Sequence, residues 1–172
     1  FYNEPLLNNK NSLFLSFPIV IIGLILRFIT ISSVKDINCL RSKKKLVAQT
    51  LNTLGPYSIV RHPIYFCNFI ILIGLLLLVN DLSIIINFSF IALLSYYFII
   101  EYEECFLLNK FKSDYEDWVL VVPKYLPSFK NYKKIKFQYN YQEVLTSEYR
   151  TLFLIGFFFH FIILFKQNNY FF

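Results

Sequence analysis

Methionine is missing from the whole sequence, position one included, and the expectation is a fragment that has lost its start. Cysteine is nearly missing too. Cys39, Cys67 and Cys105 are odd in number and widely separated, with no CxxC or Cys/His spacing, which points away from a disulfide framework and away from zinc. They read as buried thiols, and no metal is expected. A signal-peptide cleavage pattern, a heptad series and an internal repeat are all lacking. No linker divides the 172 residues. They suffice for one domain or one bundle of a few spanning helices, and leave no room for a soluble catalytic domain beside a membrane anchor.

Apolar side chains are what the sequence has in excess. They make up 56% of the chain, with 20% aromatic, whereas an average soluble domain is about 45–50% apolar even with glycine included. The stretch 12–31 runs twenty residues with Arg27 as its one charge, enough at about 1.5 Å per residue to cross a hydrocarbon core about 30 Å thick. Arg27 lies near the end of that stretch, where snorkelling of its guanidinium to the headgroups is expected. Further apolar runs occupy 64–79, 82–100 and 152–165. Only Asn80 and Asp81 separate the second from the third, which makes them an antiparallel helical hairpin. The last run, with His160 inside it, is marginal for spanning: a tilted span, a re-entrant segment and an interfacial helix all stay open. The expected fold is an all-α integral membrane protein of about four transmembrane helices, with a central hairpin.

Seventeen Lys+Arg face eleven Asp+Glu. In so apolar a chain, that excess indicates cytoplasmic loops in preference to nucleic-acid binding. The basic residues concentrate in 35–61 and 101–150, so both segments are expected on the cytoplasmic side and the hairpin tip outside.

Two polar stretches hold residue types that anchoring does not require. The first runs from Gly55-Pro56-Tyr57 through Arg61-His62-Pro63-Ile64-Tyr65. The second is Glu101-Tyr102-Glu103-Glu104, where the third run is expected to leave the membrane. An antiparallel hairpin brings both to one face, so His62 and Glu103 can approach each other. Carboxylates and tyrosine faces attract cations, while Arg61 and His62 can hold an anion. These features suit a ligand carrying a sulfonium, an ammonium and a carboxylate together. They suit equally a plain anchor in which Arg61 and the lysines read phosphate headgroups, the tyrosines form an interfacial belt and the glutamates are solvated.

The stretch 51–65 resembles the Gly-Pro-Tyr…Arg-His-Pro-x-Tyr signature of the isoprenylcysteine carboxyl methyltransferase and phospholipid methyltransferase superfamily, its bacterial branch in particular. Glu103-Glu104, Leu107, Phe111, Tyr115, Trp118, Val122-Pro123 and Leu126-Pro127 are similar to its C-terminal signature. The two motifs and the hairpin cover about 49–129. The resemblance implies a cytoplasmic S-adenosylmethionine pocket lined by Tyr57, His62, Pro63, Ile64 and Tyr65, with Glu103 on the opposite wall. It places Gln49, Thr50, Leu51 and Asn52 along the adenosyl group. Arg61 and Glu104 are the candidate catalytic residues: the first to hold an anionic group, the second, with solvent as the alternative, to take a proton from an amine acceptor, which a carboxylate acceptor would not require. Leu107, Phe111, Tyr115 and Trp118, spaced 4, 4 and 3, read as a packed helical face.

Departures from the signature stand at Cys67 and Lys112, both glycine in the family, and at Ile99, where eukaryotic carboxyl methyltransferases carry a substrate-binding arginine. The implied activity is methyl transfer to a lipid-like or prenylcysteine-type acceptor. The implied place is the bacterial inner membrane, with the endoplasmic reticulum as the alternative. Two other readings remain: an NADPH-dependent sterol-type reductase, whose motif has asparagine where this chain has Ile64, and a non-catalytic membrane scaffold.

Overall fold

The computed structural model describes residues 9–34, 50–134 and 141–168. Five helices account for most of them: α1 (Asn9–Ser32), α2 (Pro63–Val79), α3 (Leu82–Phe111), α4 (Ser113–Val121) and α5 (Tyr141–Asn168). Single 3-10 turns lie at Gly55–Ser58 and Phe129–Asn131. No strand occurs among the described residues.

Local chemistry sets the hairpin. Pro63 opens α2 at a position where its missing N–H costs nothing, and Asn80 closes it in the left-handed region at φ 66°. Asp81 then caps α3, its carboxylate accepting the Ile84 N–H at 3.0 Å. A two-residue tip therefore reverses the chain, as the sequence leads one to expect.

Helix ends elsewhere depart from expectation. α3 continues past Ile100 to Phe111 and is 30 residues long, about 45 Å at the usual rise. Polarity changes at Glu101, but glutamate, leucine and lysine sustain a helix as well as isoleucine does. The acids at 101–104 thus lie on a rigid helix that continues beyond them. For the same reason α5 begins at Tyr141 and spans 28 residues, twice the expected run of 152–165. α1 and α3 are each long and apolar enough to cross a membrane, over Asn11–Ser32 and Leu82–Phe111, while α2 is shorter at 17 residues.

The packed face read at 107–118 belongs to two helices. At Lys112, with φ 46° and ψ −118°, the chain breaks between α3 and α4, and this is the position where the family signature has glycine. Tyr115, Trp118 and Val122 fold back against Leu107 and Phe111. Lysine holds a conformation that only glycine adopts without strain.

α1 and α2 are antiparallel and unusually close. A Cβ on Gly74 would stand 2.6 Å from Val20 Cγ2 and 3.0 Å from the Val20 backbone nitrogen; one on Gly23 would stand 2.6 Å from Ile71 Cγ1. Small residues on both helices permit that approach, as they do where lipid gives no hydrophobic drive to helix association. α5 lies antiparallel to α1, with Phe159 edge-on to Phe17 and Val144 buried against Ile31. The outer side of α3 is left uncovered, with Phe88, Phe90, Ile91 and Phe98 all more than half exposed. So large an apolar surface calls for lipid as its solvent.

Arg27 does not snorkel. Its Nε and one terminal nitrogen donate to Glu148 of α5 at 2.6 and 3.0 Å, and its other terminal nitrogen donates to Asn68 of α2. Beneath its side chain the neighbouring helices offer a carboxylate and an amide, so pairing within the bundle replaces a reach to the headgroups.

Two substitutions test these features through unfolding by a denaturing detergent. Lys112→Gly is expected to stabilise by about 1 kcal/mol, and an unchanged midpoint would contradict the strain. Gly74→Ala is expected to destabilise by about 1–3 kcal/mol, because the added methyl meets Val20 backbone; a neutral effect would contradict the close approach.

Candidate functional site

The site is assembled by backbone bonds between two distant segments. Gly55, at φ 59°, donates its N–H to Lys133 O at 2.9 Å, and Arg61 N–H reaches Pro123 O at 3.0 Å. Ser128 N–H answers from the other side, donating to Ile59 O at 2.9 Å. Ser58 Oγ accepts Lys133 N–H at 2.9 Å and donates to Gly55 O at 2.7 Å. Below this ladder the Trp118 indole donates to Tyr57 O at 3.2 Å, and Leu51 and Tyr57 pack on the Tyr115–Trp118–Val122 cluster. The segment 50–62 is thereby strapped to the chain that follows α4, and its end delivers Arg61 and His62 over α3.

There the charged groups converge. Arg61 donates to Glu104 Oε1 at 2.8 Å, and His62 Nε2 stands 3.1 Å from the same oxygen. His62 Nδ1 lies 3.4 Å from Glu103 Oε2, and Tyr65 donates its hydroxyl to Glu103 Oε1 at 2.7 Å. Lys124, between the α4 end and Tyr125, binds Glu104 Oε2 at 2.9 Å and also Glu101. One imidazole therefore bridges two adjacent acids. Glu104 is engaged on both oxygens by permanent cations. Among the described residues Glu103 has no such cation, and its side chain is the more exposed at 27% against 15%.

Protonation follows the contacts. Burial disfavours the His62 imidazolium, but hydrogen bonds to Glu103 and Glu104 outweigh it, and the group titrates above its ordinary 6.5. For Tyr57, burial first and then the Glu103 charge push the phenol far up, so it stays neutral. Lys124 also rises against its burial, held by Glu101 and Glu104, and remains charged.

Of the other residues singled out in the sequence, Pro63 and Ile64 occupy the first turn of α2. Thr50 is exposed and Asn52 half-buried on the approach, and no side-chain hydrogen bond or ion pair among the described residues joins either to the cluster. Gln49 and Cys39 lie outside the described residues. Sequence reading missed Lys124, although it sits between Pro123 and Tyr125 inside the second motif. It also missed the Arg27–Glu148 pair, for which no local pattern exists across so long a separation.

Both clustered stretches, with all of α2 and most of α1 and α3, fall within a match to the model of the isoprenylcysteine carboxyl methyltransferase (ICMT) family over residues 15–109. The chain belongs to the ICMT family. Among curated proteins it is 31% identical over 84 residues to the cobalt-zinc-cadmium resistance protein CzcN of Cupriavidus metallidurans, covering 49% of this chain and 38% of that one. It is 31% identical over 77 residues to the nickel-cobalt-cadmium resistance protein NccN of Alcaligenes xylosoxydans xylosoxydans, covering 45% and 36%. The matches thus span less than two fifths of either relative. No solved structure matches. Membership in a membrane-bound family agrees with the two apolar helices, and makes this ICMT-family chain a membrane protein.

A testable consequence concerns pH. Since the folded state raises His62, the bridge stabilises fully below 6.5 and its contribution fades as pH rises through the higher folded value. The unfolding midpoint should therefore fall as pH is raised above 6.5, and His62→Gln should remove that slope. A wild-type midpoint that rises over the same range would contradict the bridge.

Proposed function

We propose that the chain is an S-adenosylmethionine-dependent methyltransferase, held in the membrane by α1, α2, α3 and α5, that methylates a lipid-like acceptor. The cofactor pocket lies at the cytoplasmic end, where the basic residues concentrate. The bacterial relatives support the inner membrane as its location.

The observation that carries the reading is Glu103. It is a half-buried carboxylate on a rigid helix, with a phenol and a bridging imidazole for partners and, among the described residues, no permanent cation paired with it. Its neighbours Tyr57 and Tyr65 are aromatic. Such a place favours a ligand with net positive charge, and S-adenosylmethionine, with sulfonium and ammonium against one carboxylate, has that charge. When bound, it would supply a methyl group: the carbon–sulfur bond breaks with its electron pair left on sulfur, which leaves as a neutral thioether, as the acceptor's lone pair forms the new bond to carbon.

The protein then has alignment and exclusion of water to perform. Glu103, Tyr57 and Tyr65 hold the cationic end, while Pro63 and Ile64 close the wall formed by the first turn of α2. Thr50, Leu51 and Asn52 run along the nucleoside. Arg61 and Glu104 act as a pair that positions His62. Saturated by Arg61 and Lys124, Glu104 is a poor proton acceptor, and its part is to keep the imidazole beside Glu103.

Calorimetry in detergent tests this reading. Binding of S-adenosylmethionine or its demethylated product is expected, without binding of NADPH. His62→Ala and Glu103→Gln should each weaken it roughly tenfold, the worth of about one charge-assisted hydrogen bond, with the fold retained. Tight NADPH binding, or wild-type affinity in both variants, would overturn it.

A further inference from the structure

On the far side of Tyr65 from Glu103 lies a groove of about 340 Å³ between α1, α2, α3 and α5. Its size is within the range of small-molecule sites. One end is polar, formed by Arg27, Asn68, Tyr96 and Thr151, and the rest is aliphatic, with Leu72, Leu75 and Leu154 among its walls. Leu154 is 64% exposed on α5, so the aliphatic end opens to the bilayer. The polar end adjoins the candidate cofactor pocket: the Tyr96 ring packs on Tyr65 at 5.3 Å.

The polar end has no net charge. Arg27 is held by both oxygens of Glu148, and its remaining terminal nitrogen is used by Asn68. Arg61 and Lys124, on the other side of Tyr65, are likewise committed to Glu104 and Glu101. Ile99 brings no charge. An anionic headgroup entering the groove would have to break a buried ion pair or remain uncompensated, and a cationic one would meet Arg27 with its carboxylate already engaged. Either is costly away from water. Hydroxyl, phenol and amide groups, in contrast, hydrogen-bond a neutral headgroup without penalty.

We infer that the groove binds an uncharged single-chain amphiphile, with its hydrogen-bonding head between Asn68, Tyr96 and Thr151 and its tail along Leu72, Leu75 and Leu154. Its assignment as the methyl acceptor's site rests on the methyltransferase reading; the binding itself does not. The Arg27–Glu148 pair sets the charge selectivity by cancelling itself.

The test is native mass spectrometry of the full chain from detergent, without S-adenosylmethionine, after incubation with 1-dodecanol, dodecanoate or protonated dodecylamine. Dodecanol should be retained at least tenfold more strongly than either charged probe. Leu75→Trp and Leu154→Trp, which fill the groove from its wall and from its exposed rim, should each remove that retention. Glu148→Gln, which frees Arg27, should turn the preference toward dodecanoate, an outcome that a purely structural ion pair would not give. Stronger retention of a charged probe by the wild type, or equal dodecanol retention in the groove-filling variants, would overturn the inference. Since the cofactor is absent throughout, neither result depends on whether S-adenosylmethionine binds.

Discussion

Charge brought close to a lipid-solvated bundle must be matched by charge, and the three contacts of Glu104 with Arg61, His62 and Lys124 meet that demand. Much of the local architecture follows from it. Arg61 and His62 must arrive over α3, so the segment before α2 is strapped by backbone bonds to 123–133. Lys124 must arrive from the opposite side, so α4 folds back at Lys112 and packs its tyrosine and tryptophan beneath Tyr57. What remains after this pairing is Glu103, which among the described residues is met by a tyrosine and one shared imidazole and by no permanent cation.

The same constraint acts a second time within the bundle. Arg27 would be expensive on a lone spanning helix, and α5 supplies Glu148 to meet it. That pair ties the last helix to the first and leaves a charge-neutral cleft beside Tyr96. On the proposed reading this separation suits an apolar acceptor beside a charged cofactor: permanent cations are matched to fixed acids, and the two compartments meet at the Tyr65–Tyr96 contact.

Much of this was legible in the sequence where the signal was local. Two residues between apolar runs dictated the hairpin, and the hairpin in turn placed His62 opposite Glu103. Helix ends were less legible, since a change from isoleucine to glutamate after Ile100 marks a change of surroundings and not of conformation. Lys112 showed the break only as a departure from glycine. Contacts between remote segments were not readable at all: nothing near Arg27 announces Glu148, and nothing near Arg61 announces that Lys124 will complete its partner's coordination.

Photolabelling decides the central claim most directly. Ultraviolet irradiation of the full chain with S-adenosylmethionine carrying a radioactive methyl group, followed by peptide mapping, should place the label in the stretches around Tyr57–Tyr65 and Glu101–Glu104, and competition by the demethylated product should remove it. Competable label confined to α1 or α5, or no competable label anywhere, would contradict a cofactor site built on Glu103.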